Sequence, residues 1–174
     1  MIDGLAVRVG ELSQSDAAAV VRAVRSDGEA ITSSGRRLEL LAGETVAQRL
    51  QGLGDLPVGG AVITPAGDLP AQFIIHAVLQ SVEEPVSSVT VRRALVNVLR
   101  RARDLGLASL ALPLLGTGAG NLDAEEAARL TMEALREHLA AGDAPRRFEI
   151  VVESAYQEGL FTGWAARDPA GEAR

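Results

Sequence analysis

The chain has 174 residues, of which 47% are hydrophobic; this fits one folded domain with a sizeable core and excludes a disordered protein. The formal net charge is −6, which argues against general nucleic-acid binding, because such binding needs a basic surface that neutralises phosphates. The chain has no cysteine, so disulfides, thiolate metal ligands and cysteine nucleophiles are excluded.

The first half of the chain contains three predicted strands, one predicted helix and one ambiguous segment. Residues 5–9 alternate weakly between apolar and polar side chains and predict a first strand. The stretch 16–25 stays open, since its alanines favour a helix whereas its valines are compatible with a strand. Residues 36–50 predict a helix. The apolar runs 61–64 and 72–78 predict two strands, separated by a turn that contains proline and glycine.

The second half of the chain has the clearer pattern. Apolar residues at three- and four-residue spacing predict a helix from about 89 to 105. The continuous apolar run 107–115 predicts a strand that is covered on both faces. A glycine-rich loop, Gly116–Asn121, precedes a second predicted helix over 123–141, and the strand 148–152 follows. Strands interleaved with helices favour a mixed or parallel sheet with helices on both faces.

The ends of the chain and its apolar runs bear on location and domain organisation. The N-terminal residues lack the basic and apolar regions of a signal peptide, and no apolar run approaches the roughly 20 residues of a membrane span. We therefore expect a cytoplasmic protein without membrane contact. Residues 165–174 are small and charged and predict a flexible tail, which leaves residues 1–164 as a single domain.

The glycine-rich loop carries the clearest chemical signal. Helix N-termini expose backbone N–H groups and a positive dipole, and glycines let the backbone approach an anion closely. Gly116, Gly118 and Gly120 fit that requirement, and Thr117 adds a hydroxyl. The loop lacks Gly-Lys-Ser/Thr and is not a Walker A loop, and Asn121 stands where a dinucleotide fingerprint needs its third glycine. The alternative is a tight turn without a ligand.

Three segments, in their order and spacing, resemble the macro-domain family: Ala61–Val78, Val91–Leu95 and Leu110–Gly120. The resemblance implies a three-layer α/β/α sandwich around a mixed, mostly parallel sheet of about six strands, with a cleft for ADP-ribose or a relative. In the family, the loop that matches Gly116–Asn121 wraps the diphosphate and the distal ribose. His76 lies in a matching strand, and we expect it to be structural.

Two positions in the first part of the chain depart from the family pattern. The family's Gly-Asp-Ile, whose aspartate recognises the adenine amino group, is Gly10-Glu11-Leu12 here, and the longer glutamate keeps the acceptor. The family's Asn-Ala-Ala-Asn falls on residues 22–25, where Arg22 and Arg25 replace both asparagines. In many active members the first asparagine positions the distal ribose, so its loss argues against a hydrolase. We hypothesise that Arg22 or Arg25 enters the cleft and pairs with phosphate.

The family's first glycine-rich loop is also replaced, here by residues 31–35. Ser33, Ser34 and Gly35 either present hydroxyls and backbone N–H groups to the ligand or form an ordinary N-cap, and both interpretations stay open. Many members stack the adenine on an aromatic residue near the end of the last strand, and the matching residues 150–153 contain none. Tyr156 is close in sequence and is either a substitute or a surface packing residue.

The leading hypothesis is a divergent macro domain that binds ADP-ribose or another phosphorylated nucleoside. The alternatives are a hydrolase acting on ADP-ribose esters or ADP-ribosylated proteins, and a degenerate protein-interaction module whose arginines fill the cleft. We assign no catalytic residue, metal ligand or resident cofactor. The expected partners are the nucleotide and, for the hydrolase, an ADP-ribosylated protein. The predicted ligand-binding residues are Glu11, Leu12, Arg22, Ser34, Gly35, Gly116, Thr117, Gly118, Ala119, Gly120 and Asn121.

Overall fold

The computed structural model describes residues 2–118 and 122–165, which form a six-stranded sheet with helices on both faces. The strands are β1 (Leu5–Val9), β2 (Ala19–Arg25), β3 (Ala61–Pro65), β4 (Phe73–Gln80), β5 (Ser109–Pro113) and β6 (Arg147–Val152). Their order across the sheet is β1-β6-β5-β2-β4-β3. Neighbouring strands run parallel except β3, which is antiparallel to β4, so the sheet is mixed and mostly parallel as predicted.

The centre of the sheet is where the connections change direction. β2 and β5 are neighbours there, with Ala19 paired with Leu110 and Val20 with Ala111. After β2 the chain continues to β3 and β4 on one side of the sheet, and after β5 it continues to β6 on the other side. The loops after β2 and β5 therefore diverge, and a crevice opens between them outside the carboxyl ends of the strands.

The helices are α1 (Ser33–Ala42), α2 (Glu44–Gln51), α3 (Ser88–Asp104), α4 (Ala124–Ala140) and α5 (Ala155–Ala165), and Leu12–Gln14 form one 3₁₀ turn. Successive residues of β2 point to opposite faces of the sheet. Val20 packs in the buried cluster that contains Leu38 of α1, whereas Val21 packs with Leu95 of α3 and Met132 of α4. Helices thus cover both faces, which confirms the three-layer α/β/α prediction.

The ambiguous segment 16–25 contains a strand rather than a helix. Every residue of β2 except its last, Arg25, is buried. Because helices cover both faces of this central strand, small and β-branched side chains fill it along its whole length. The alanines that favour a helix pack between the layers instead.

The single helix predicted over 36–50 is two helices, α1 and α2, which meet at Gly43. Gly43 has a φ of +99°, a conformation that ends a helix and that residues with a Cβ rarely adopt. The helix predicted over 123–141 is confirmed as α4. The side chain of Asp123 caps it by accepting a hydrogen bond of 2.8 Å from the amide of Glu126.

The C-terminal helix reaches the boundary that the sequence predicts for the domain. Ala165, the first residue of the predicted tail, is the last residue of α5, and residues 166–174 lie outside the described residues. Across residues 2–118 and 122–165, every helix falls short of the length and apolarity that a membrane crossing requires.

Candidate functional site

A cleft of about 890 Å³ opens at the carboxyl ends of the parallel strands. Its walls come from segments that follow β1, β2, β5 and β6, together with the N-terminal half of α1. It is therefore the crevice that the sheet topology predicts. Its lining includes Glu11, Leu12, Ala23, Ile31, Thr32, Ser33, Ser34, Arg37, Leu79, Val86, Gly116, Thr117, Gly118, Glu153 and Gln157.

The glycine-rich loop after β5 forms one wall of the cleft. Gly116 has a φ of +96°, and a Cβ at this position would lie 2.8 Å from Cγ2 of Val91. The hydroxyl of Thr117 donates to the carbonyl of Leu114 at 3.3 Å. The positive φ of Gly116 and the hydrogen bond of Thr117 accompany a sharp turn of the chain after β5. The remaining predicted residues of this loop, Ala119, Gly120 and Asn121, lie outside the described residues.

The N-terminus of α1 forms the facing wall. The side chain of Thr32 is the N-cap and accepts from the amide of Gly35 at 3.0 Å. The capping function thus belongs to Thr32, and Ser33 and Ser34 line the cleft. The first amides of a helix have no acceptor within it and carry the positive end of the dipole. This wall therefore offers both hydroxyls and backbone donors to an anion.

The two loops approach each other across the centre of the cleft. A Cβ at Gly118 would lie 2.9 Å from Cγ2 of Thr32 and 3.4 Å from Cγ2 of Ile31. Only a glycine allows the backbone this close, so the requirement at Gly118 is for space rather than for a left-handed φ.

The segment after β1 contributes the predicted residues Glu11 and Leu12. Leu12 is buried, whereas the carboxylate of Glu11 is partly exposed and lies 3.6 Å from Nε of Arg37. Sequence reasoning missed Arg37, although it stands four residues after Ser33 and therefore shares its helix face. Among the described lining residues it is the only cation.

Arg22 does not enter the cleft, contrary to the hypothesis from its sequence position. Its side chain is 1% exposed and points, like that of Val20 two residues earlier, to the face of the sheet that α1 covers. The next residue, Ala23, points to the opposite face and lines the cleft. It pairs with Glu39 and donates to the carbonyl of Gly35 at 3.2 Å. Gly35 is also buried and does not line the cleft.

Arg25 likewise lies away from the cleft, on the surface, where it pairs with Asp27. Neither arginine therefore contacts the cleft, either to bind a ligand or to fill the cavity. The cleft remains open.

His76 belongs to the same buried network as Arg22. Its Nδ1 accepts from Nε of Arg22 at 2.9 Å, and its Nε2 lies 2.9 Å from the hydroxyl of Thr64. Burial, together with the positive charge of Arg22, lowers the pKa of His76 to about 3. The neutral ring connects β2, β4 and β3 beneath α1 and does not reach the cleft.

The end of the cleft beside β2 and β4 is apolar. Its described lining there consists of Ala23, Ile31, Leu79 and Val86, which pack in or against the same hydrophobic cluster. The described lining carboxylates, Glu11 and Glu153, follow β1 and β6 at the other end. Within residues 2–118 and 122–165 no three histidine or carboxylate side chains are arranged to hold a metal ion.

Tyr156 does not line the cleft. Its side chain is exposed, and its hydroxyl donates to Glu125 of α4 at 3.1 Å. Its position is thus that of a surface contact between α5 and α4. The described lining contains no aromatic ring.

The model of the Macro domain family matches residues 23–131. The chain belongs to this family. An uncharacterised protein of Mycobacterium tuberculosis is 36% identical over 115 residues, which are 66% of this chain and 31% of that protein. The chain thus spans about a third of the length of this relative.

Two other comparisons cover most of the chain. An O-acetyl-ADP-ribose deacetylase of an Enterobacter species is 32% identical over 155 residues, which are 83% of this chain and 84% of that protein. The macrodomain of Trypanosoma brucei, solved in complex with ADP-ribose, superposes with a TM-score of 0.85 at 17% identity, covering 94% of this chain and 69% of that one. The structural similarity confirms the fold.

Proposed function

We propose that the cleft binds ADP-ribose or a closely related phosphorylated nucleoside. The observation that carries this proposal is the close approach of two loops at the centre of the sheet, where Gly118 lies against Thr32. One loop supplies glycine backbone and the other a helix N-terminus, a combination that suits an anion. In this proposal the diphosphate lies beside the point where the two loops meet, against Ser33, Ser34 and Gly116–Gly118.

The dimensions of the cleft suit an extended dinucleotide-like ligand. It follows the carboxyl ends of strands from β1 to β4, which are five neighbours in the sheet. Adjacent strands lie about 4.8 Å apart, so these ends extend over about 19 Å. A ligand with a group on each side of a central diphosphate fits that arrangement better than a lone phosphate does.

The end beside β1 is suited to the base. Glu11 offers carboxylate oxygens to the amino group of adenine, and Leu12 offers an apolar surface beside it. Glu153 and Gln157, which also line this end, supply further polar groups. Family membership, the complex of the Trypanosoma brucei macrodomain and the name of the Enterobacter relative support ADP-ribose as the ligand.

Hydrolysis is the second candidate function, favoured by the deacetylase name of the Enterobacter relative. Its substrate here would be an ADP-ribose ester or an ADP-ribosylated protein. The apolar residues Ala23, Leu79 and Val86 beside β2 and β4 offer no general base, which is why binding is the leading proposal. Release of ADP-ribose from a modified protein, followed over time, distinguishes the two functions.

Calorimetric titration with ADP-ribose, with ATP and AMP as comparators, tests the binding proposal. We expect saturable binding that favours ADP-ribose. We also expect Gly118→Leu to abolish it, because the new side chain would collide with Thr32 and push apart the two loops that form the proposed anion site.

Gly159→Leu is the matched control, since a Cβ added at Gly159, in α5, would meet open space. Thermal unfolding of both variants establishes that they are folded. A folded Gly118→Leu protein that binds ADP-ribose like the wild type would contradict the assignment of the site.

A further inference from the structure

Arg37 lies at the end of the cleft where the proposed function places the base. Its Nε is 3.6 Å from Oε2 of Glu11, and 64% of its side chain is exposed. The ion pair connects the second turn of α1 to the segment after β1. A planar cationic group is thus held beside the proposed base position.

The geometry suits contact with a base better than contact with the diphosphate. Arg37 stands four residues after Ser33, so its Cα is about 6 Å along the helix axis from the amides that face the anion. Its guanidinium already faces one carboxylate, that of Glu11. The glycine loop and the helix N-terminus provide the anion site without it.

A nucleobase gains much of its affinity from stacking on a planar side chain. The described lining offers no aromatic ring for this purpose. A guanidinium is also planar, and it stacks on rings through its flat face while its edge keeps hydrogen bonds to a carboxylate.

We infer that the guanidinium of Arg37 stacks on the base of the bound nucleotide, and that Glu11 holds the guanidinium in position through its carboxylate. The inference rests on the proposed function. It makes Arg37 a residue that determines specificity for ligands that carry a base.

Two substitutions separate the contribution of the planar shape of Arg37 to binding from the contribution of its charge. Arg37→Lys keeps the charge and loses the plane, whereas Arg37→Phe keeps a plane and loses the charge. Arg37→Ala removes both, and Arg36→Ala is the control, because Arg36 is an exposed neighbour that does not line the cleft. Each variant is titrated with ADP-ribose and with inorganic pyrophosphate, which has no base.

We expect Arg37→Ala to weaken ADP-ribose binding about 10-fold and to leave pyrophosphate binding unchanged. We expect Arg37→Lys to bind ADP-ribose as weakly as Arg37→Ala does, whereas Arg37→Phe and Arg36→Ala keep an affinity close to that of the wild type.

Three results would overturn the inference while the proposed function stands. Arg37→Ala could bind ADP-ribose as tightly as the wild type, or it could bind pyrophosphate more weakly. Arg37→Lys could keep the wild-type affinity for ADP-ribose while Arg37→Phe loses it. A folded wild-type protein that does not bind ADP-ribose overturns the proposed function itself, and this inference with it.

Discussion

The burial of His76 predicts that the protein loses stability as the pH falls from 8 to 5. An unperturbed histidine has a pKa of about 6.5, whereas burial and the charge of Arg22 lower that of His76 to about 3. Between these two values the unfolded chain binds a proton that the folded protein does not. The free energy of unfolding therefore falls with decreasing pH through this window.

The size of the effect follows from the two pKa values. The contribution of His76 is fully present above its unfolded pKa and falls by about 1.4 kcal/mol for each pH unit below it. Between pH 8 and pH 5 the expected loss is about 2 kcal/mol. For a chain of this length that lowers the thermal midpoint by about 4–8 °C.

Urea denaturation of the wild type and of His76→Gln at pH 8 and pH 5 measures this loss. Glutamine does not titrate, and the other titratable groups are common to both proteins. The difference between the two pH dependences therefore isolates His76. We expect the wild type to lose about 2 kcal/mol more than the variant. Equal losses would refute the reasoning, because they would show that folding does not hinder protonation at this position.

Two further predictions concern contacts within the fold. Arg22→Leu leaves three acceptors without their donor, namely Nδ1 of His76 and the carbonyls of Gly28 and Gly35. We expect the free energy of unfolding to fall by about 3–5 kcal/mol. A thermal midpoint equal to that of the wild type would contradict this. Asp123→Ala removes the cap of α4, and urea denaturation should show a loss of about 1 kcal/mol; an unchanged midpoint would show that the cap contributes no stability.

The sequence predicts most reliably the helices that bury one face, because their apolar residues then recur every three or four positions. The helix predicted from about 89 to 105 is α3, and its apolar positions Val91, Leu95 and Val98 are buried as the spacing requires. β2 was ambiguous because both of its faces are buried, which removes the alternation that distinguishes a strand. Gly43 breaks the helix predicted over 36–50 through its backbone conformation, a local effect that the apolar spacing does not contain.

The sequence likewise predicts only part of the candidate site. The glycines 116 and 118 are recognisable because the physical requirement for a close backbone is specific to that residue type. The direction of Arg22 depends on which face of a fully buried strand each residue occupies, and the composition of β2 gives no alternation from which to read it. Arg37 was missed because its role at the cleft depends on the packing of α1 against the segment after β1, a contact between elements distant in the sequence.

A crystal structure of the protein with ADP-ribose tests the proposed binding site most directly. We expect the diphosphate against the N-terminus of α1 and the loop that begins at Gly116, with the adenine beside Glu11. Density for the ligand outside this cleft, or with its diphosphate away from both loops, would contradict the assignment of the site.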